Sequence, residues 1–578
     1  MDPKTLNTKL AEGAKSFISE SIDTRGGKDP IAPLYAARRK GFSLFSLGMS
    51  DADCEVLRPY LFGRPIPRKA GDAPVVCLNL VDGEWRRPKE LVPMKSLADR
   101  RITLMEVARS VDADVEHVIE RAVSFWSSLE WSLEGLAYRK LVIKNMSRLM
   151  NYFYEECLDE LRQQTPKTRL EADKDFWEGK RAADHLEGNA EKAMAGSMVP
   201  TMIAGQSYWR DAYLPAGVCA VITPMNFIYG IPGIQIVACY LSGSPMIFKG
   251  HPFSAITSTT LIKMLIAAGA DPRAVHKIEG FGGDIARLTS DEHIAIVSVT
   301  GSAETAKIIQ ASRGVRPTKF EGGGCNWAFI DDGYNDEDLT KIAVRLSYSK
   351  LGLGSHKCTS LHGIAASKAT LDRIEPLLKK EFANYKVQDP RAAGQEDIKV
   401  VSPLMVHKAS TVSSIQEGAK KAGLAIVVEG GRITDGDYAQ NAEVAKPVVL
   451  GRVTPDTTIT ANWDELGERP IRLATTEFFM PILVTMEMAT FDDFIRFSLQ
   501  TNPHDLATSI WTRDDVKLQR ARRTLGGMLK ENDGTDSALE WEEFGASGIG
   551  ESGNTGVGDA EATIAMFCRK QKGRHFVF

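Results

Sequence analysis

The chain has 578 residues, 43% hydrophobic and 25% charged, an ordinary globular balance whose length calls for about two or three domains. Its 71 basic and 75 acidic side chains leave a formal net charge of −4, which gives no electrostatic footprint for nucleic acid or an anionic membrane and favours small-molecule work. The eight cysteines (54, 77, 157, 219, 239, 325, 358 and 568) show neither CxxC nor CxH spacing, arguing against a disulfide framework or a zinc site and for a reducing, cytoplasmic compartment. The opening MDPKTLNTKLAEGAKSFISESID has no apolar run after a basic start, and no window is long and apolar enough to span a bilayer.

In chain order, residues 1–76 start with an amphipathic helical pattern and carry no chemical motif, so they read as a packing extension or interface arm. VVCLNLVDGEW, from Val75, reads as an opening strand, and Thr103–Ser127 and Leu136–Arg162 as helices. From Tyr213 strands and helices alternate: LPAGVCAVITP, PMIFKG, TSTTLIKMLIAAG, AVHKIEG and IAIVSVTGS. This alternation predicts a parallel sheet with crossover helices, whose ligands bind at the carboxyl ends of the strands. It resumes after Glu321 with NWAFIDD, LTKIAVRLSYSK, LHGIAAS and LDRIEPLLKKEFANY, predicting a second α/β unit. Residues 390–470 read as a polar connecting region, and the terminal FCRKQKGRHFVF as a pairing strand. The predicted fold class is therefore α/β: two Rossmann-like parallel-sheet domains and a β-strand oligomerisation element. The predicted boundaries are 77–320 for the first domain, 321–545 for the second and 546–578 for a C-terminal return.

The densest chemistry lies between Glu321 and Ser360. FEGGGCNWAFI supplies a candidate base, Glu321, and a candidate nucleophile, Cys325; LGLGSHKCTS supplies a second, Cys358. A thiol reacts only as thiolate and needs a base, a cation or oriented N–H groups nearby. Residue type alone leaves both thiols open, since either could equally be a small buried hydrophobe.

Seven motifs in order resemble the aldehyde dehydrogenase superfamily from about Val75 to the C-terminus: TPMNF at 223–227, FKGHP at 248–252, VTGS at 299–302, FEGGGCN at 320–326, the Cys358 segment, EFFMP at 477–481 and SIWTRD at 509–514. The separations from Asn226 to Lys249 (249 − 226 = 23), to Ser302 (302 − 226 = 76) and to Cys358 (358 − 226 = 132) are close to those of the family. The resemblance implies that Cys358 is the nucleophile and that Cys325, in the glycine turn, is not. It implies oxidation of an aldehyde or semialdehyde by NAD(P)+ through a hemithioacetal and a thioester. Asn226 and the Cys358 N–H would hold the oxyanion, and Glu321 would activate the hydrolytic water. It further implies that Lys249 binds the adenosine ribose, that Gly301 and Ser302 face the pyrophosphate at a helix start, and that Gly282 lies in the turn beside the adenine. Glu477 would take the nicotinamide ribose with Phe479 beside it, and Thr223 and Pro224 would complete the cofactor wall. No metal enters this scheme.

Two departures from the family pattern stand out. GSHKC replaces the usual Gly-Gln ahead of the nucleophile, placing His356 where it could raise the thiolate fraction. Pro252 stands three residues after Lys249, where NAD-preferring members tend to carry an acidic residue, which leans the reading toward NADP. The alternatives are a CoA-acylating dehydrogenase and a catalytically inactive binding protein on the same scaffold. The hairpin-like stretch near 195–212 and the terminal HFVF, read as a strand joining another subunit's sheet, imply a homodimer or homotetramer.

Overall fold

The computed structural model describes residues 26–28, 49–195, 197–200, 206–392, 394, 398–537, 545–555 and 560–576. Five strands form the parallel part of the first sheet: β1 (Cys219–Ile222), β2 (Met246–Lys249), β3 (Val275–Lys277), β4 (Ile296–Thr300) and β5 (Thr318–Glu321). Their order is β3-β2-β1-β4-β5, every neighbouring pair parallel. The strand order reverses between β1 and β4, so a crevice opens at the carboxyl ends of these two strands. Short, nearly continuous apolar runs such as CAVI and MIFK suit strands covered on both faces. The crossover helices include α2 (Gly230–Ser242) and α3 (Ala255–Ala268), following the long α1 (Arg169–Met194). Every residue of α3 is buried, as expected of a helix that is apolar nearly all round.

The second sheet contains β6 (Asn326–Ile330), β7 (Leu361–Ala366), β8 (Val448–Val453), β9 (Ile482–Glu487), β10 (Ala507–Trp511) and β11 (Met528–Glu531). The order is β8-β9-β7-β6-β10-β11, all parallel, with Ala425–Val428 antiparallel on the outer side of β8. Helix α4 (Ala303–Arg313) links β4 to β5, and α5 (Asp336–Leu351) carries the chain from β6 toward β7. The two predicted Rossmann-like sheets are thus present, and the first ends at Glu321.

Four local expectations are corrected. Residues 75–86 form three short strands instead of one: Val75–Cys77, then a hairpin Asn79–Val81 and Glu84–Arg86 turning through Asp82 and Gly83, both with positive φ. Thr103–Arg109 is a strand paired with Val75–Cys77 and Glu90–Lys95, and the helix begins only at Asp112, where Asp112 and Asp114 favour a first turn. Leu136–Arg162 splits into helices Leu136–Tyr152 and Tyr154–Gln164. The region 390–470 is no plain connector, since it supplies helix Ala409–Lys421, β8 and the hairpin Thr458–Asn462/Glu468–Arg472.

Helix α1 escaped the sequence reading because its 26 residues are so highly charged. Its start was nonetheless signalled by a capping box, with Thr168 accepting from Glu171 N–H and Glu171 accepting in return. Within the N-terminal extension, helix Asp51–Phe62 buries Cys54, Leu57, Tyr60 and Leu61 in the main core, while the predicted helix at the start of the chain lies outside the described residues. A third sheet pairs Cys568–Phe576 with Gln206–Pro215, itself paired with Ser197–Pro200, all antiparallel. The expected hairpin is therefore present. The terminal strand pairs within its own chain, His575 opposite Ser207 and Phe576 opposite Gln206, whereas a partner's sheet had been expected. Val577 and Phe578 lie outside the described residues. Among the described residues, no helix is long and apolar enough to cross a membrane.

Candidate active site

A cavity of about 1600 Å³ opens where the strand order predicts, along the ends of β1 and β4. Its wall brings together Cys358, Asn226, Thr223, Pro224, Lys249, Gly282, Gly301, Ser302, Glu477 and Phe479. Residues scattered over 257 positions of chain (479 − 223 + 1 = 257) thus meet at one crevice. Glu321 is not in the wall, although the next residue, Gly322, is.

Cys358 sits half-buried after a distorted turn. Leu353, Gly354 and Ser355 all have positive φ (54°, 59° and 71°), a left-handed run costly for the two non-glycine residues. The surroundings hold it in place. The Leu353 N–H donates to Glu171, Ser355 Oγ donates to Lys350 O (2.8 Å), and Asn326 Nδ2 donates to the carbonyls of Cys358 (2.7 Å) and Ser360 (2.9 Å). Asn326, to which the sequence assigned no role, is thus a clamp on the Cys358 loop. Its signal was its place directly after the glycine turn.

His356 departs from expectation. Its ring is buried, its Nδ1 lies 2.9 Å from Leu353 O, and its Nε2 accepts from Met405 N–H at 3.2 Å. With one nitrogen facing a carbonyl and the other facing an N–H, the ring is neutral with its proton on Nδ1. Burial pushes its pKa down to about 3. His356 therefore pins the loop and neither faces solvent nor lends charge to the thiol. It also meets Phe479 edge-on at 5.3 Å.

Asn226 Nδ2 donates to His356 O at 2.9 Å, which ties the amide to the loop two residues before Cys358. The second amide hydrogen remains for a ligand. Behind it, the buried Lys167 ammonium bridges Asn226 O and Asp175 Oδ2, each at 2.6 Å. Asp175 also accepts from the N–H groups of Ile228, Tyr229 and Gly230 at the start of α2. This anion at a helix N-terminus fixes the segment that carries Asn226.

Burial raises the Cys358 pKa, and the carboxylates of Glu477, Glu178 and Glu321 raise it further. The resting thiol is therefore protonated and attack requires a base. Glu321 ends β5, its backbone bridged to Gly553 and its carbonyl accepting from Gly301 N–H at 3.0 Å. Its carboxyl accepts from Ala546 N–H, while Oε2 is buried without a partner among the described residues. Burial lifts its pKa to about 8. Glu178, on α1, lines the cavity and is lifted to about 8 by burial and by the neighbouring Asp175. Cys325 is buried, absent from the wall, and raised well above the usual thiol range by burial.

Further residues of the same wall suit a nicotinamide dinucleotide. Ser302 caps α4, its Oγ accepting from Thr305 N–H at 3.2 Å, so a helix N-terminus with Gly301 and Ser302 faces the crevice. The Thr223 hydroxyl is buried without a partner among the described residues. Lys249 is buried, its ammonium makes no hydrogen bond among the described residues, and burial lowers its pKa to about 8. An anionic or hydroxyl-rich ligand would supply these missing partners. Glu477 is raised to about 7 by burial, with Gly324 N–H and Lys350 pulling the other way.

Comparison with known proteins agrees with this geometry. The aldehyde dehydrogenase family model matches residues 89–572. Curated relatives include alpha-ketoglutaric semialdehyde dehydrogenase of Bacillus subtilis (strain 168), 22% identical over 80% of this chain and 88% of the relative. Another is alpha-aminoadipic semialdehyde dehydrogenase of Bos taurus, 22% identical over 81% of this chain and 83% of the relative. Among solved structures, 3,6-anhydro-L-galactose dehydrogenase superposes with a TM-score of 0.76 at 19% identity, covering 86% of this chain and 99% of that one. Motif order, strand order and a family match spanning most of the sequence converge: the chain belongs to the aldehyde dehydrogenase family.

Proposed function

We propose that the protein oxidises an aldehyde or semialdehyde to the carboxylic acid with NAD(P)+, through a thioester on Cys358. The observation that carries this reading is the shared cavity wall, which holds Cys358 and Asn226 together with Lys249, Ser302 and Glu477. Attack by the Cys358 sulfur on the aldehyde carbon places the developing oxyanion between the Asn226 amide and the Cys358 N–H. When bound, NAD(P)+ supplies the hydride acceptor. Glu321, at the rim of the glycine turn, takes a proton from the water that hydrolyses the thioester. To do so its carboxyl leaves Ala546 N–H and turns toward Gly322, which lies in the wall.

Position 252 is a proline, and the wall residues directly after Lys249, namely His251, Pro252 and Phe253, are not acidic, which supports acceptance of NADP+ as well as NAD+. The hairpin and terminal strand form a sheet whose two outer strands each have one edge unpaired among the described strands. Such edges are usually covered, which supports a homodimer or homotetramer. An aldehyde panel with initial rates under NAD+ and NADP+, with and without CoA, tests the reading. Reduction of either nucleotide by an aldehyde without CoA supports it; reduction only when CoA is present replaces hydrolysis by acyl transfer.

A further inference from the structure

Helix α1 packs on the start of α2 through glycines. A Cβ on Gly179 would collide with Tyr229 O, and one on Gly233 would come within 2.8 Å of Gly179 Cα. This close approach carries one turn of α1 to the cavity, with Asp175 spent on the α2 N-terminus and Glu178 facing the opening. A Cβ on Gly230 would stand 2.9 Å from Glu178 Oε2, so that glycine makes room for the carboxyl. Glu178 makes no hydrogen bond or ion pair among the described residues, while Glu321 is engaged by Ala546 and lies outside the wall. Of these two glutamates, only Glu178 lines the same cavity as the sulfur.

We propose that Glu178 is a second proton-transfer residue, accepting the Cys358 thiol proton as sulfur attacks, and that Glu321 is left to serve hydrolysis. This rests on the thioester reading above. The S–H bond breaks and its proton passes to a Glu178 oxygen; the freed sulfur pair forms the S–C bond; the carbonyl π pair moves to the oxygen facing Asn226. Before the next turnover, Glu178 returns the proton to cavity water.

The charges around Glu178 are Asp175 on its own helix and Lys167 before that helix, with Cys358 across the cavity. Glu477 and Glu321 act on the same sulfur from the second and first sheets. A pKa near 8 leaves part of Glu178 as carboxylate at neutral pH, available as a base for the raised Cys358 thiol.

Peptide-resolved alkylation of Cys358 by iodoacetamide, followed from about pH 6 to about pH 10, reads proton removal without aldehyde or cofactor. The expected result is alkylation at least ~10-fold slower in E178Q at pH 8, with the pH limb displaced upward and partial recovery in E178D. A merely electrostatic neighbour gives the opposite sign, because removing its negative charge acidifies the thiol. Unchanged or faster alkylation in E178Q overturns the proposal. Should E178Q fail to fold, G230A displaces the carboxyl while keeping the charge; slower alkylation is again expected, and an unchanged rate again overturns the proposal. A wild type that oxidises no aldehyde with either nucleotide defeats the thioester reading but leaves the alkylation contrast readable.

Discussion

At the scale of single residues, the site is a protonated thiol surrounded by raised carboxyls. Cys358 is held up by burial and by Glu477, Glu178 and Glu321 together, so its chemistry depends on neighbours that can take protons. C358S is expected to lose more than ~10³-fold in NAD(P)H formation while keeping the wild-type melting curve, read by stopped-flow absorbance and circular dichroism. On the proposed mechanism N226A removes one oxyanion donor and should lower kcat by about 10²–10³-fold with little change in KM. Retention of kcat in N226A would place the oxyanion elsewhere. The raised carboxyls also set a sign for stability. Glu321 and Glu477 have folded pKa values of about 8 and about 7, above the ordinary 4.5. Their contribution is present below about pH 4.5 and is lost as pH rises through 7 to 8. Urea midpoints should therefore fall between about pH 5 and about pH 8, and E477Q should flatten that fall; a midpoint rising across this window in the wild type would contradict the assignment.

At the scale of elements, two devices aim the site: the left-handed turn before Cys358 and the glycine contact between α1 and α2. His356 holds the turn through Leu353 O and Met405 N–H. H356A leaves the Met405 N–H without its acceptor and should cost about 1–3 kcal/mol, with kcat falling more than KM rises because the sulfur loses its position. G179A forces a methyl group against Tyr229 O and should destabilise the fold by about 1–3 kcal/mol. Chemical denaturation with initial-rate kinetics on the same samples separates the two effects.

At the scale of the whole molecule, the strand Cys568–Phe576 pairs with Gln206–Pro215 across a separation of 353 positions (568 − 215 = 353). Removing residues 568–578 exposes the full length of Gln206–Pro215 on one side. For the proposed homo-oligomer, the truncated chain is expected to run at monomer mass by light scattering coupled to size exclusion while the full chain runs at a multiple of it. An unchanged oligomer mass would show that assembly does not use this sheet.

The sequence by itself determined the alternation of strands and helices from Tyr213 onward, because short β-branched runs and glycine stops follow from local packing and backbone geometry. It also pointed to part of the wall: Asn226 and Ser302 follow strands, Lys249 ends one, and parallel topology gathers such ends at one crevice, whereas Glu321 falls outside it. Long-range geometry decided the rest. Thr103–Arg109 became a strand because Val75–Cys77 and Glu90–Lys95 flank it, and no local pattern encodes that pairing. Burial turned His356 from a prospective cation into a neutral pin, and only packing fixes burial. Glu178 gave no motif at all: it faces the cavity because Gly179, Gly230 and Gly233 let two helices approach closely, and close approach between distant segments is set by the fold as a whole.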